Sequence, residues 1–238
     1  MDDNLFELPD YNPAKKYCTD ERLLNISKNL SVVDGIICST EPLADYLKRF
    51  NPNTLVIPNG VSHNFKYRIL NNSKLRVGWC GSKTHDGDFS TALIDALTEL
   101  QNEIEIVIYG DIPNCLSHLN IERHPWTEVN EYYQTLYNLN LDVGLIPCRD
   151  NLFNRSKSNI KYIEYSICST VSIADTVYPY SNSIIQNETG LFRNWYKHLK
   201  WLIDNKEERL KLSRHAYDYV NKNYTYDDEY LKLWSNII

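Results

Sequence analysis

Lys157, Lys161 and Glu164 fall at i, i+4 and i+7 within residues 150–177, DNLFNRSKSNIKYIEYSICSTVSIADTV. On a helix these positions share one face, beside a second stripe of Ile160, Ile163 and Ile167 that can pack inward. Ser156 or Ser158 can cap the helix start, leaving backbone N–H groups and the positive end of the helix dipole exposed. Two lysines near such an end can cradle phosphate, and a carboxylate one turn deeper can hold a ribose diol. The same residues also fit a plainer arrangement, a solvated helix face beside a core stripe. Both readings stand on this stretch alone.

Such a site needs a frame that brings loops together. Apolar, β-branched runs at 32–38, 54–57, 75–80, 104–109, 141–146 and 171–174 read as buried strands. Amphipathic helices are predicted between them at about 41–50, 88–101, 128–138 and 157–168, with a further helical stretch at about 195–222. Strands alternating with helices predict an α/β fold with a parallel, doubly wound, Rossmann-like sheet. The segment from Pro58 to Lys74 carries Pro58-Asn59-Gly60 and no clear period, and marks a boundary. Before it lie only two strands and two helices, too few for a doubly wound domain.

In open α/β sheets ligands bind at the carboxyl ends of strands, so each such loop is a candidate. After 75–80 comes Gly81-Ser82-Lys83-Thr84-His85-Asp86-Gly87-Asp88. Gly81 permits close backbone approach, and Ser82, Lys83 and Thr84 can meet phosphate oxygens. The loop has neither GxxxxGK[ST] nor GxGxxG spacing. A helix entry capped by Asp86 or Asp88 fits it as well. After 104–109, Gly110-Asp111 would let a base or ribose cross the strand end, or is a plain turn. Residues 123–126 (RHPW) read as a loop, in which Trp126 can stack on a base or pack against the next helix. After 141–146, Asp150, Asn151 and Asn154 can meet sugar hydroxyls, although loop polarity alone also explains them.

Composition narrows the classes. With 238 residues, 42% hydrophobic and 24% charged, the chain is an ordinary globular sequence able to bury a core. A net charge of −6 argues against a general nucleic-acid or anionic-membrane binder. The six cysteines form no CxxC pair, and several lie in apolar runs, which predicts buried thiols in a reducing compartment. Cys148 beside Arg149 lacks a histidine partner and reads as a structural thiol. His63, His85 and His124 show no metal-ligand spacing, so no metal is expected. Met1-Asp2-Asp3 does not open a secretory signal, and the apolar runs are too short to span a bilayer. The expected compartment is the cytoplasm, and the sequon at Asn187 reads as accidental.

The order of DGIICST (34–40), IPNGV (57–61), VGWCGS (77–82), DVGLIPC (142–148), FNRSKSNIKYIEYS (153–166), VSIADTVYPY (171–180) and NETGLF (187–192) resembles the nucleotide-sugar glycosyltransferases of family 4, which have the two-domain GT-B fold. The resemblance implies residues 1–60 as a remnant of the acceptor-side domain and 61–74 as a linker. It implies 75–195 as the Rossmann-like donor-binding domain and 196–238 as C-terminal helices. It further implies transfer of a sugar, usually with retention, to a glycan or lipid-linked acceptor, without a metal or other cofactor. Peripheral membrane association and a separate acceptor domain or protein partner follow as expectations, and no nucleic-acid partner does.

By the same resemblance, Glu164 matches the second glutamate of the family's paired motif, which binds the donor ribose. Lys157, Ser158 and Lys161 would lie near the diphosphate, with Gly81 and Ser82 closing over it. Gly110, Trp126 and Asn154 complete the expected nucleotide-sugar site, and no residue is assigned to catalysis. Three positions depart from the pattern. The first glutamate of the pair is Ser156, the arginine after the first glycine is Ser82, and the Gly-x-Pro turn is Ser169-Thr170-Val171. A catalytically inactive or split GT-B half, serving as a binding or assembly module, is the alternative. A dinucleotide enzyme is disfavoured because GxGxxG is missing.

Overall fold

The computed structural model describes residues 1–62, 65–180, 194–226 and 228–235. His63 and the NETGLF segment with its sequon lie outside them. Four of the apolar runs expected to be buried form β3 (Leu75–Gly81), β4 (Ile104–Gly110), β6 (Val143–Ile146) and β7 (Val171–Ala174), and an unexpected fifth parallel strand, β5 (Ile121–His124), joins them. Their order is β5-β4-β3-β6-β7. Two further strands, β1 (Ile36–Cys38) and β2 (Thr54–Val56), pair in parallel as a separate two-stranded sheet.

The alternation of each strand splits the core between two faces. Ile104, Ile106 and Ile108 of β4 join Val77 and Trp79 on one face, under α3 (Thr91–Leu100) and α7 (Trp195–Asp204). Val107, Tyr109 and Cys80 point to the other, under α4 (Tyr132–Asn138), α6 (Ile160–Ile167) and α8 (Lys206–Asn223). Each fully buried leucine or isoleucine on these faces contributes about 1.5–3 kcal/mol. The preceding segment carries α1 (Asp20–Val32) and α2 (Glu41–Leu47). α2 packs Leu43 and Leu47, both fully buried, against β1 and β2. A short α5 (Leu152–Arg155) precedes α6, and α9 (Asp228–Ser235) ends the described chain.

Several boundaries differ from the sequence expectation, each for a local reason. Helix 88–101 starts at Thr91, because Ser90 Oγ, not Asp86 or Asp88, accepts the Leu93 N–H as its cap. The 195–222 stretch breaks at Asn205, whose backbone (φ −121°, ψ 68°) leaves the helix. Residues 123 and 124 belong to β5 rather than a loop, paired with Ile108 and Tyr109. Strand 32–38 shortens to β1, since α1 runs through Val32. α6 ends in a Schellman turn: Thr170 N–H reaches Tyr165 O and Ser169 N–H reaches Ser166 O, with Ser169 at φ +65° where glycine is usual.

The boundary segment is docked rather than loose. Tyr217 donates to Phe65 O, Ser169 Oγ accepts the Arg68 N–H, and Asn72 Nδ2 donates to Asp142 Oδ2.

Candidate functional site

The strand order reverses between β3 and β6, so their carboxyl ends open a crevice that no crossover connection covers among the described residues. Gly81 and Gly110 close β3 and β4 side by side in register. Gly110 has φ +112°, which turns the Asp111 N–H back onto Gly81 O at 3.0 Å. The Asp111 carboxylate then accepts the Lys83 N–H at 3.2 Å. The 3-10 turn Lys83–Asp88 is thus tied to the end of the neighbouring strand, and Ser82 Oγ and Thr84 Oγ1 share a 2.6 Å hydrogen bond within it.

The expected helix 157–168 divides here. α5 is capped by Asn151, whose Oδ1 accepts the Asn154 N–H, and the chain then leaves helical geometry before α6. Neither Ser156 nor Ser158 caps α6. Its N-cap is Asn159, with no side-chain cap hydrogen bond. Ser156 Oγ donates to Leu152 O and accepts from Asn4, while Ser158 Oγ accepts from Asn59. Lys157 therefore lies before the helix rather than on a stripe with Lys161. Ile163 and Ile167 are buried as expected, whereas Ile160 lines the crevice.

A pocket of about 210 Å³ fills the crevice, lined by Trp79 and Cys80 from β3, Leu145 to Cys148 from the end of β6 and the loop after it, and His85 and Asp88 from the turn. Asn154, Lys157, Ser158 and Lys161 come from the α5–α6 region, with Asp2, Asp3 and Tyr180 completing the wall. Lys161 leads out of this pocket to a second group. Its Nζ donates to Glu164 Oε2 at 3.0 Å and to Tyr132 OH at 3.1 Å, and Tyr132 OH donates to the same carboxylate oxygen at 2.9 Å. Burial alone would lower the Lys161 ammonium, but the adjacent Glu164 charge more than offsets it and raises its pKa. Burial, with Glu164 adding to it, drives the Tyr132 phenol up. The plain reading of a solvated helix face is excluded, since Glu164 is only 8% exposed.

Tyr132 also extends an aromatic wall. It stacks on Tyr109 at 5.4 Å between ring centroids, and Trp126 lies 5.3 Å from Tyr109 and 6.3 Å from Tyr132. Trp126 thus packs against the first residue of α4, yet stays 45% exposed. Its indole covers Gly110, where an added Cβ would lie 2.6 Å from Trp126 Cζ2. The structure accordingly groups Gly110, Trp126, Lys161 and Glu164 by contact, and Asn154, Lys157, Ser158 and Lys161 around the pocket. Gly81 meets Gly110 at the strand ends, and Ser82 is tied to the pocket wall through its carbonyl, which accepts the His85 N–H.

The residue that sequence reasoning missed is Asp88. Its buried carboxylate accepts from Tyr11 OH (2.7 Å), Asn154 Nδ2 (2.7 Å) and the Arg149 N–H (3.3 Å), and pairs with His85 Nδ1 (2.9 Å). Asn154 spends its amide on this centre and on Arg149 O, so its side chain is positioned by the fold. His85 and Asp88, three apart in a strand-end loop, were the available signal. Asp175, after β7, accepts the Cys148 N–H and the Trp195 indole N–H, and burial pushes its carboxyl up to about 6. All six cysteines are free, and burial pushes the Cys148 thiol well up and that of Cys80 to about 12, which suits inert packing rather than nucleophilic work. Among the described residues no group of three or more His, Cys, Asp or Glu side chains could hold a metal, and no helix is long and apolar enough to cross a membrane.

No protein-family model matches the chain, and no curated protein matches it either. Solved structures do. A mutant of S. aureus TarM in complex with fondaparinux, α-GlcNAc-glycerol and UDP matches with a TM-score of 0.68 at 19% identity, over 99% of this chain and 49% of that one. Anabaena HepE in complex with UDP-glucose matches at TM-score 0.66 and 11% identity, over 96% of this chain and 71% of that one. The pneumococcal O-GlcNAc transferase GtfA in complex with UDP and GlcNAc matches at 0.61 and 16%, over 92% and 47%. The chain spans about half the length of TarM and GtfA. At these identities the likeness shows the fold, an α/β unit with a Rossmann-like parallel sheet of the kind found in one half of GT-B proteins.

Proposed function

We propose that this chain is the donor-binding half of a family 4-like glycosyltransferase, which holds a nucleoside-diphosphate sugar and passes the sugar to a glycan acceptor with retention. The observation that carries the reading is the Lys161 ammonium. It faces the pocket at the strand ends on one side and the buried Glu164 carboxylate on the other. One cation then joins a phosphate-sized space to a diol-binding acid. Lys157, Ser158 and the uncapped start of α6 supply further positive charge and N–H donors on the same wall. Gly81 and Ser82 would border the diphosphate, and Gly110 with the Trp126 face would receive the base.

The chemistry follows from that placement. The bond from the anomeric carbon to the diphosphate oxygen breaks, and one to an acceptor hydroxyl oxygen forms as its proton departs. Negative charge grows on the leaving diphosphate, where preorganised cations are worth most. The pocket, about 210 Å³, is below the roughly 300–1,000 Å³ of whole small-molecule sites. That size suits a diphosphate with part of a sugar, completed by an opposing lobe. On this reading 75–195 is the donor domain, 1–60 belongs to the acceptor side, 61–74 links them and 196–238 packs behind.

A second reading has its own support. Ser156 stands where the family's first glutamate would, and its hydroxyl is already committed to Leu152 and Asn4. A donor-binding module without transfer activity would look the same. Calorimetric titration with UDP, GDP and ADP tests the proposal. One nucleotide is expected to bind in the micromolar range, with binding lost in Glu164→Ala. Unchanged affinity in that variant removes the site assignment. Binding without donor hydrolysis or transfer favours the module.

A further inference from the structure

His85 and Lys157 meet on the wall of the pocket, with His85 Nε2 3.5 Å from Lys157 Nζ. The other imidazole nitrogen is held by Asp88, whose side chain is 3% exposed against 31% for His85. Burial works to raise the Asp88 carboxyl, but hydrogen bonds from His85 and Tyr11 outweigh it and hold it below the usual range. A fixed carboxylate at Nδ1 makes that nitrogen the proton carrier and aims Nε2 at the pocket. In the neutral ring Nε2 is then an acceptor and takes a Lys157 N–H. The arrangement keeps two basic groups facing each other at one point of an otherwise buried network.

We propose that His85 is a proton-linked anion-binding residue: with Lys157 it receives the diphosphate of the donor as an imidazolium, gaining one proton from solution as the ligand binds. This rests on the donor-site reading above, and names a ligand contact and a pH dependence within it. The charges around the ring decide the direction. Lys157, from the segment before α6, and Lys161 on α6 oppose protonation, as does Arg22 of α1 in the adjoining hollow. Asp88 in the same turn and Asp2 and Asp3 of the N-terminal segment favour it. A diphosphate near Lys157 adds negative charge that offsets these cations, so its binding favours the imidazolium. Association is then strongest at low pH and weakens as pH rises.

The test titrates the wild-type chain, His85→Gln and His85→Lys with UDP, and separately with inorganic pyrophosphate, from pH 6 to 8.5. Calorimetry in two buffers of different ionisation enthalpy counts protons. Ligand titration is common to all three proteins and cancels in the differences. Wild type is expected to take up protons that His85→Gln does not, and its affinity advantage should fall by up to roughly tenfold per pH unit within the window. His85→Lys, a fixed cation, should bind without the extra uptake. A histidine that only braces the turn would weaken binding equally at every pH, and that result, or equal affinity, overturns the proposal while leaving the donor site standing. Pyrophosphate binding with uptake but no UDP binding supports the anion site and removes the donor reading. Binding of neither ligand removes both.

Discussion

Replacing Gly110 by alanine puts a methyl group into the junction that joins fold and site. At φ +112° the new Cβ would lie 2.4 Å from the Gly81 carbonyl oxygen and 2.6 Å from Trp126 Cζ2. The first contact is with backbone, and β3 and β4 end there in register, so relief requires the strand ends to part. Positive-φ strain costs about 1–3 kcal/mol and overpacking a similar amount. Loss of the Asp111 N–H to Gly81 O bond adds about 1 kcal/mol. With partial relaxation the expected destabilisation is about 4 kcal/mol. Gly78→Ala is the control, because the nearest atoms its Cβ would meet belong to the Leu141 side chain, at 2.4 Å, rather than to backbone. That change should cost about 1–2 kcal/mol. Urea unfolding followed by tryptophan fluorescence reads both, and Gly110→Ala should lower the midpoint by about 1.3–2 M at an m-value of about 2–3 kcal/mol/M. A cost within about 0.5 kcal/mol of wild type, or no larger than that of Gly78→Ala, would refute the argument that backbone contact at this crossing is rigid.

Two further predictions concern charge. Burial raises the Asp175 carboxyl from 3.8 to about 6, so the fold prefers its neutral form. Its contribution is fully present below about pH 4 and is lost as pH rises through about 6. Wild-type stability relative to Asp175→Asn should fall by about 1–3 kcal/mol between pH 4 and 7, and a flat difference across a pH series of denaturation curves would show that burial is not the cause. Arg76 on β3 bridges Glu105 of β4 and Glu122 of β5, with N–O distances of 2.7 and 2.8 Å. Its hydrogen bonds hold the Glu122 carboxyl down at about 2, against an ordinary 4.5. Arg76→Met should cost about 1–2 kcal/mol at pH 7, a range reduced for the partial exposure of both acids. That cost should shrink as pH falls from about 4.5 to 2; persistence undiminished at pH 2 would assign it to lost packing instead.

The difference between what could and could not be read from the chain lies in how far apart the interacting residues are. The runs at 75–80, 104–109, 141–146 and 171–174 announce themselves, because a strand covered on both faces must be apolar throughout. β5, with Glu122, Arg123 and His124, escapes that rule because among the described residues it pairs only with β4 at the sheet edge and keeps charges outward. Lys161 and Glu164 were legible because they are three apart on one helix and meet there. Lys157 fits the same period and misleads, since periodicity does not register a break. The signal for the break is instead the cap at Asn151, a residue that loop polarity alone also explains. The Asp88 centre was out of reach for a stronger reason. Tyr11 lies 77 residues away and Asn154 66, so the local spacing from His85 does not by itself distinguish this acid from a solvated helix cap. A carboxylate with four partners from separate parts of the chain is a tertiary fact. It ties the N-terminal segment, the turn after β3 and the start of α5 to one point. The position of His85 therefore depends on contacts that form only when those segments have assembled.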